Sequence, residues 1–317
     1  MTETVSITLW AADLSRALSG PEDWLSGLAD VAREAKAKGS ELLIAPEYVS
    51  EQWLTFAGPQ AEPTEEAALM AAAGEGLLAG IQAIADDLGI DILAGTWPVA
   101  RGDGRYTNGA HLFLAGGTSP LVQHKLCPTP GERDADVWHI AEGDRLQLFD
   151  WRGLRCAILT CLDIELPALS VRLASEAPDL DLILCPSMTE RRSGYNRVFG
   201  CAKARAVELM TTVAVVGVIG ATPLNPPRPN TSGAAVFIPC EPDLGYDGRF
   251  AEIGPFDGGD GGDPLGPRLH AADIPVGAIR RLRESQPEVW PGAWTGADVV
   301  IDQPDAAAAL QGVRKTA

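Results

Sequence analysis

Apolar residues along the chain keep two rhythms. One is the spacing of a helix buried on a single face. The other is a short unbroken run, the kind that fills a strand covered on both sides. Val5 to Trp10 is such a run. Pro21 to Lys38 then sets Trp24, Leu28, Val31 and Ala35 at helical spacing before Gly39, which predicts a helix closed by a glycine. Glu41 to Ala45 is the next strand, so the chain opens with a strand–helix–strand unit. Thr64 to Leu88 predicts a long Ala-rich helix. Ile90 to Val99, Thr107 to Ala115 and Pro120 to Leu126 predict extended pieces parted by glycine turns. Leu146 to Trp151 and Leu154 to Thr160 flank Arg152-Gly153 and predict a hairpin.

A helical pattern from Glu165 to Ala177 follows, then a strand from Asp181 to Cys185, a helix from Ser193 to Met210 and a strand from Thr211 to Ile219. Beyond Gly220, proline and glycine become dense. Ala221 to Gly233 and Glu241 to Pro267 are expected to be loops, with a strand from Ala234 to Pro239 between them. Ala271 to Arg283 and the tail from Trp290 are weakly patterned. The alternation of strands and helices predicts one α/β domain over residues 1–283, with 284–317 a tail available for oligomer contacts.

Composition narrows the function. At 317 residues and 46% hydrophobic, the chain can bury a large core. A net charge of −18 without any Lys/Arg stripe argues against nucleic acid or an anionic membrane as partner. The amino terminus has neither a basic segment nor an apolar one, and no apolar run of about eighteen residues is expected to span a bilayer. The six cysteines form no C-x-x-C pair, and none of the four histidines stands in an H-x-x-x-H arrangement. No metal site or cofactor is therefore expected, and a reducing cytoplasm fits best.

Three residues at strand ends could carry chemistry: Glu47, Lys125 and Cys161. A free thiol, with a pKa of about 8.5, needs a base or a cation beside it to attack. A carboxylate can take its proton and later pass it to a leaving amine. A lysine ammonium, with the backbone N–H of Leu162, can hold an oxyanion. Glu, Lys and Cys thus suffice for acyl transfer without histidine or metal. Each also has a plain structural reading: Glu47 as a helix-terminal carboxylate, Lys125 as a surface charge, Cys161 as a small buried hydrophobe.

Taken together, the motifs resemble the nitrilase (carbon–nitrogen hydrolase) superfamily. Leu43-Ile44-Ala45-Pro46-Glu47 is similar to its strand–Pro-Glu motif. His124-Lys125-Leu126 with Pro130-Gly131-Glu132 resembles its lysine motif and accompanying glutamate, and Cys161-Leu162-Asp163 to Pro167 its nucleophile motif. Tyr106-x-Asn108, Asp181 to Pro186 and Ala204-Arg205-Ala206-Val207-Glu208 match further family positions. The sequence departs from the family at Leu162, usually aromatic, at Leu209, often Asn, and at Cys127, often bulkier.

The resemblance implies a four-layer α-β-β-α sandwich that pairs through helices into a homodimer or larger homo-oligomer. It also implies Cys161 as nucleophile, Glu47 as base, and Lys125 with the Leu162 N–H as oxyanion site. Glu132 would position the substrate or the lysine. Tyr48, Tyr195 and Arg197 are candidates for substrate contact, the arginines near 191–197 for a substrate carboxylate. The expected substrate is a small linear amide. A nitrile, an N-carbamoyl compound, or a non-catalytic scaffold role are the alternatives. Cys161→Ala should remove turnover; Lys125→Ala and Glu47→Gln should remove most of it without unfolding the protein.

Other stretches carry less. Gly74-Glu75-Gly76 with Gly80 is a loose dinucleotide fingerprint, but it sits inside a helical pattern. Asp257 to Asp263 suggests calcium without the expected spacing and reads as a flexible loop near the active-site mouth. A papain-like pairing of Cys161 with His124 or His139 has the wrong order. The eight tryptophans are expected in the core or at interfaces.

Overall fold

The computed structural model describes residues 2–258 and 262–285, and residue 299. In chain order its strands begin with β1 (Val5–Trp10), β2 (Leu42–Ile44), β3 (Asp91–Ala100), β4 (Tyr106–Phe113), β5 (Leu121–His124) and β6 (Ile140–Ala141). Next come β7 (Leu148–Trp151), β8 (Leu154–Ile158), β9 (Leu182–Ser187), β10 (Thr212–Gly217) and β11 (Gly220–Thr222). The last are β12 (Arg228–Asn230), β13 (Ser232–Phe237), β14 (Arg249–Phe256) and β15 (Arg268–Ile274). The helices are α1 (Pro21–Ala37), α2 (Leu54–Ala57), α3 (Pro63–Leu88), α4 (Pro130–Arg133), α5 (Leu162–Glu165), α6 (Pro167–Glu176), α7 (Arg192–Glu208) and α8 (Val276–Ser285).

Two sheets stack face to face. One runs β15-β1-β2-β3-β4-β5 with β6 beside β4, the other β14-β13-β10-β9-β8-β7. The pattern of the strands explains the layering. Ile7 and Leu9 of β1, Leu42 and Ile44 of β2, Leu154, Cys156 and Ile158 of β8, and Leu182 and Leu184 of β9 point inward into one core between the sheets. The alternate residues face outward under helices. Leu43 and Ile92 lie beneath Trp24, Leu28 and Val31 of α1 and Leu77 and Ile81 of α3. Ala157, Ile183 and Val213 lie beneath Val198, Phe199 and Ala202 of α7 and Leu173 of α6. With both faces covered, the inner strands read as continuous apolar runs rather than alternating ones. This is the α-β-β-α sandwich that the resemblance implies.

Four segments differ from the sequence reading. The Pro/Gly-rich stretch after Gly220 holds an antiparallel ladder of β11 with β12, and β14 lies within the expected loop 241–267. Both are short or half-exposed edge pieces in which Pro and Gly hide the strand signal. The weakly patterned 271–283 is the end of β15 and helix α8, whose Arg280 and Arg283 both reach Asp181 at 2.5 Å. The helix after Cys161 is broken at Leu166, which turns extended before Pro167.

By length and composition, α3 is apolar enough to cross a bilayer, contrary to the sequence reading. Its stripe of Met70, Leu77, Ile81 and Ala85 is buried, and Leu77, Ile81 and Ala85 belong to the core under one sheet. The glycines of the loose fingerprint serve this packing: a side chain at Gly74 would meet the Trp97 indole, one at Gly80 the Leu25 side chain. Of the tail 284–317, residues 286–298 and 300–317 lie outside the described residues, as does part of Asp257–Asp263.

Candidate active site

Glu47, Lys125 and Cys161 each follow the carboxyl end of a strand, β2, β5 and β8 in turn, where open α/β sheets gather their chemistry. Local backbone sets each one. Gly95 in β3 has φ 82°, and a Cβ there would fall 2.3 Å from the Pro46 carbonyl, so only glycine lets the strand pass the loop that carries Glu47. Cys161 itself has φ 49° and ψ −106°, a strained elbow between β8 and α5 that costs about 1–3 kcal/mol. Its N–H donates to the Pro186 carbonyl at 3.0 Å and its carbonyl accepts from Ile164, which fixes the strain in place. Leu162 opens α5, so its N–H is one that no intrahelical bond uses.

Asp163 joins the elbow to the lysine loop. Its carboxylate accepts the N–H groups of Leu126 at 3.0 Å, Cys127 at 2.8 Å and Thr160 at 3.3 Å. Arg205 of α7 braces the same elbow through the Ile164 carbonyl at 3.1 Å. The motif residues around Cys161 thus include a positioning carboxylate whose task was not legible from spacing.

Lys125 is buried, and its ammonium donates to Glu47 Oε1 at 2.8 Å and Glu132 Oε2 at 2.6 Å. Glu132 has more support. It accepts the Thr129 N–H at 2.7 Å, the Tyr48 hydroxyl at 2.8 Å and the Asn108 amide at 3.3 Å. Burial works against its charge, but Lys125 and these donors outweigh burial and hold the carboxyl below its ordinary value. Glu47 has fewer partners: Lys125, the Asn108 amide at 2.9 Å and the Cys161 thiol. Burial prevails there, and its pKa rises to about 7. Two carboxylates on one ammonium are thereby split into a standing anion and a poised base. Burial opposes the Lys125 charge, yet Glu47 and Glu132 together keep it protonated well above the usual lysine range. Burial, with Glu47 adding to it, pushes the Cys161 thiol up, so the resting sulfur carries its proton.

Cys161, Glu47, Lys125, Glu132, Leu162, Tyr48 and Arg197 all line one cavity of about 580 Å³. Arg197 is tied to Glu165 at 3.2 Å, so its charge is already matched. Tyr195 is not brought to the cavity wall. Its ring packs on Phe199 at 4.2 Å and its hydroxyl donates to Glu252 at 3.1 Å, because its position on α7 faces the sheet rather than the cavity. The far wall holds residues the sequence did not single out. Trp138 stacks near Tyr48 at 4.6 Å and donates to Glu66 at 2.7 Å. Arg228, delivered by β12, clasps Glu66 at 2.6 and 2.9 Å and meets Glu51 at 3.3 Å. The tryptophan expectation holds for Trp10, Trp24, Trp53, Trp97 and Trp151, which are buried, but Trp138 belongs to the cavity.

Known proteins agree with this frame. The sequence model of the family described as carbon-nitrogen hydrolase matches residues 18–231. A Bacillus subtilis (strain 168) protein named "Probable hydrolase YhcX" is 30% identical over 227 residues, 71% of this chain and 42% of that protein. Hydrolase MT0498 of Mycobacterium tuberculosis (strain CDC 1551 / Oshkosh) is 30% identical over 142 residues, 44% of this chain and 49% of that one. The matches thus span less than half the length of these curated relatives.

Among solved structures, a cysteine-to-alanine mutant of the amidase from Nesterenkonia sp. AN1 in complex with butyramide aligns with TM-score 0.66 at 22% identity. It covers 89% of this chain and 95% of that one. A glutamate-to-leucine mutant of the same amidase, showing covalent addition of the acetamide moiety of fluoroacetamide at its active-site cysteine, aligns with TM-score 0.66 over 90% of this chain and 95% of that one, also at 22% identity. At that identity the likeness shows a shared fold. By its sequence over two thirds of its length, and by the sandwich that this sequence builds, the chain belongs to the carbon–nitrogen hydrolase family.

Proposed function

We propose that the protein hydrolyses a C–N bond of a small linear amide through a thioester on Cys161. The observation that carries this reading is the buried Lys125 held between Glu47 and Glu132, on the same cavity as the Cys161 thiol. Cys161 Sγ attacks the carbonyl carbon and its proton passes to Glu47. The oxyanion is held by Lys125 Nζ and the Leu162 N–H. Glu47 returns the proton to the departing nitrogen, ammonia leaves, and a thioester remains. Water then gives its proton to Glu47 and attacks the thioester; the carboxylic acid leaves and the thiol is reprotonated. Glu132 stays ionised throughout and keeps Lys125 charged.

A glutamate-to-leucine mutant of the Nesterenkonia amidase offers support by analogy, since its active-site cysteine takes up the acetamide moiety of fluoroacetamide. Ammonia release from a panel of short amides, N-carbamoyl amino acids and nitriles tests the proposal. Turnover of the amides is expected, and silence across the whole panel would remove the catalytic reading.

The pH dependence follows from Glu47. It acts as base only when ionised, and its pKa lies at about 7. kcat/KM for an amide is therefore expected to fall by about tenfold per unit as pH drops below that value. A flat profile from pH 5 to 8 would exclude Glu47 as the base.

A further inference from the structure

The far wall of the cavity carries two buried acceptors without partners. Glu51 is fully buried, and while its Oε1 meets Arg228, its Oε2 has no hydrogen-bond partner. Asn230 is 1% exposed, and its amide nitrogen donates to the Arg228 carbonyl at 3.3 Å, which leaves Oδ1 unpartnered. The neighbouring carbonyl fixes the amide orientation, since a flipped Asn230 would set oxygen against oxygen. Both residues line the same cavity as Cys161. An unpaired buried acceptor is costly unless something donates to it, and what each of these atoms lacks is a donor.

Charge points the same way. Arg228 is the cation of this wall, and Glu66 already takes it in two short bonds. Glu51 shares the remainder at longer range; burial, with Glu66 and the exposed Glu190 adding to it, pushes its carboxyl up to about 7, so a cation beside it would favour the charged form. Glu51 and Glu66 thus share one guanidinium. The other arginines of the lining do not redress this: Arg197 is matched by Glu165, and Arg191 is exposed at its edge. A hydroxyl or amide donor would satisfy an acceptor but leave the charge uneven; a primary ammonium does both.

We propose that Glu51 and Asn230 form a specificity subsite for a primary ammonium carried at the far end of the amide substrate. The inference rests on the cavity being that of an amide hydrolase and names its substrate class: straight-chain amides with a terminal amine. Trp138 and Tyr48 line the same cavity with aromatic surface suited to a methylene chain.

The test is binding without turnover. Calorimetry on Cys161→Ala protein compares a graded series of ω-amino amides with the alkyl amides in which a methyl replaces the ammonium. At one chain length or more, the amine-terminated amide is expected to bind at least about tenfold tighter. Glu51→Gln should bring that ratio to within about twofold. Asn230→Leu should lower it as well, which keeps the test standing if Glu51→Gln fails to fold. Equal binding of each pair at every length, binding of neither compound, or a ratio kept in both variants would overturn the proposal. A preference seen in a protein that releases no ammonia would sink the hydrolase reading alone and leave the subsite intact.

Discussion

Cys161→Ala is expected to lower amide hydrolysis by at least about a thousandfold while leaving the fold as it is. The residue is 6% exposed, and its thiol is held by Glu47 and, weakly, by the Met188 carbonyl at 3.5 Å. Removing one sulfur from such a site costs little packing, and alanine can follow the same elbow backbone, held by Pro186 and Ile164. What disappears is the only atom there able to form a thioester. Glu47, Lys125 and the Leu162 N–H remain, so any residual rate reports water attacking directly in a prepared oxyanion site. Ammonia release together with a thermal melt checks both halves. A variant that folds and keeps a tenth of wild-type turnover would take the thiol out of the mechanism.

Lys125→Ala is expected to abolish turnover and also to destabilise the protein, by about 3–5 kcal/mol at pH 8. Here the structure changes the expectation drawn from sequence, which had the fold untouched. Lys125 is 1% exposed and is the cation between Glu47 and Glu132. Without it, two carboxylates face each other in a buried site. The sign of the pH effect follows. Lys125 lowers the pKa of both acids, so its loss raises both, and burial then favours their protonated forms. A raised carboxyl contributes stability that is present at low pH and lost as pH rises through its folded value. The destabilisation should therefore be smaller at pH 5 than at pH 8. Denaturant melts at the two values decide it, and an equal loss at both would show that the two carboxylates are not what Lys125 holds.

Much of this site could be read before the fold was known, and for a physical reason. Glu47, Lys125, Glu132 and Cys161 sit in short local motifs, each at the end of an apolar strand, so the sequence marks both the residue and the place. The strands themselves were legible because covered sheets demand long apolar runs, as in Leu154 to Thr160 and Asp181 to Cys185. What stayed hidden depends on distance through space. Asp163 stands in the nucleophile motif, yet its role is to catch the N–H groups of Leu126 and Cys127, 37 and 36 residues away. Arg228 lies 162 residues from Glu66, on a strand that Pro and Gly disguise as loop. No periodicity reports such a pair. Tyr195 shows the converse. It stands near the residues that border the cavity, but the turn of α7 sends its ring to Phe199 and Glu252 instead.

The difference between Glu47 and Glu132 was likewise beyond the sequence, since both are simply glutamates after a strand or at a turn. It arises from donor count. Thr129 caps α4 and accepts from the Glu132 N–H at 3.3 Å, while Glu132 takes the Thr129 N–H in return, and Tyr48 and Asn108 with Lys125 bring its donors to four. Glu47 is left with less support and a higher pKa. In the proposed mechanism, that asymmetry would let one carboxylate move protons while its neighbour holds the ammonium charged.

The most direct measurement is the mass of the Glu47→Leu protein after incubation with fluoroacetamide, since the wild-type protein is expected to hydrolyse that amide rather than keep it. The account predicts one added acetamide group, on the peptide carrying Cys161, formed more slowly when a competing short amide fills the cavity. No addition, or addition at any of the other cysteines with Cys161 unchanged, would contradict it.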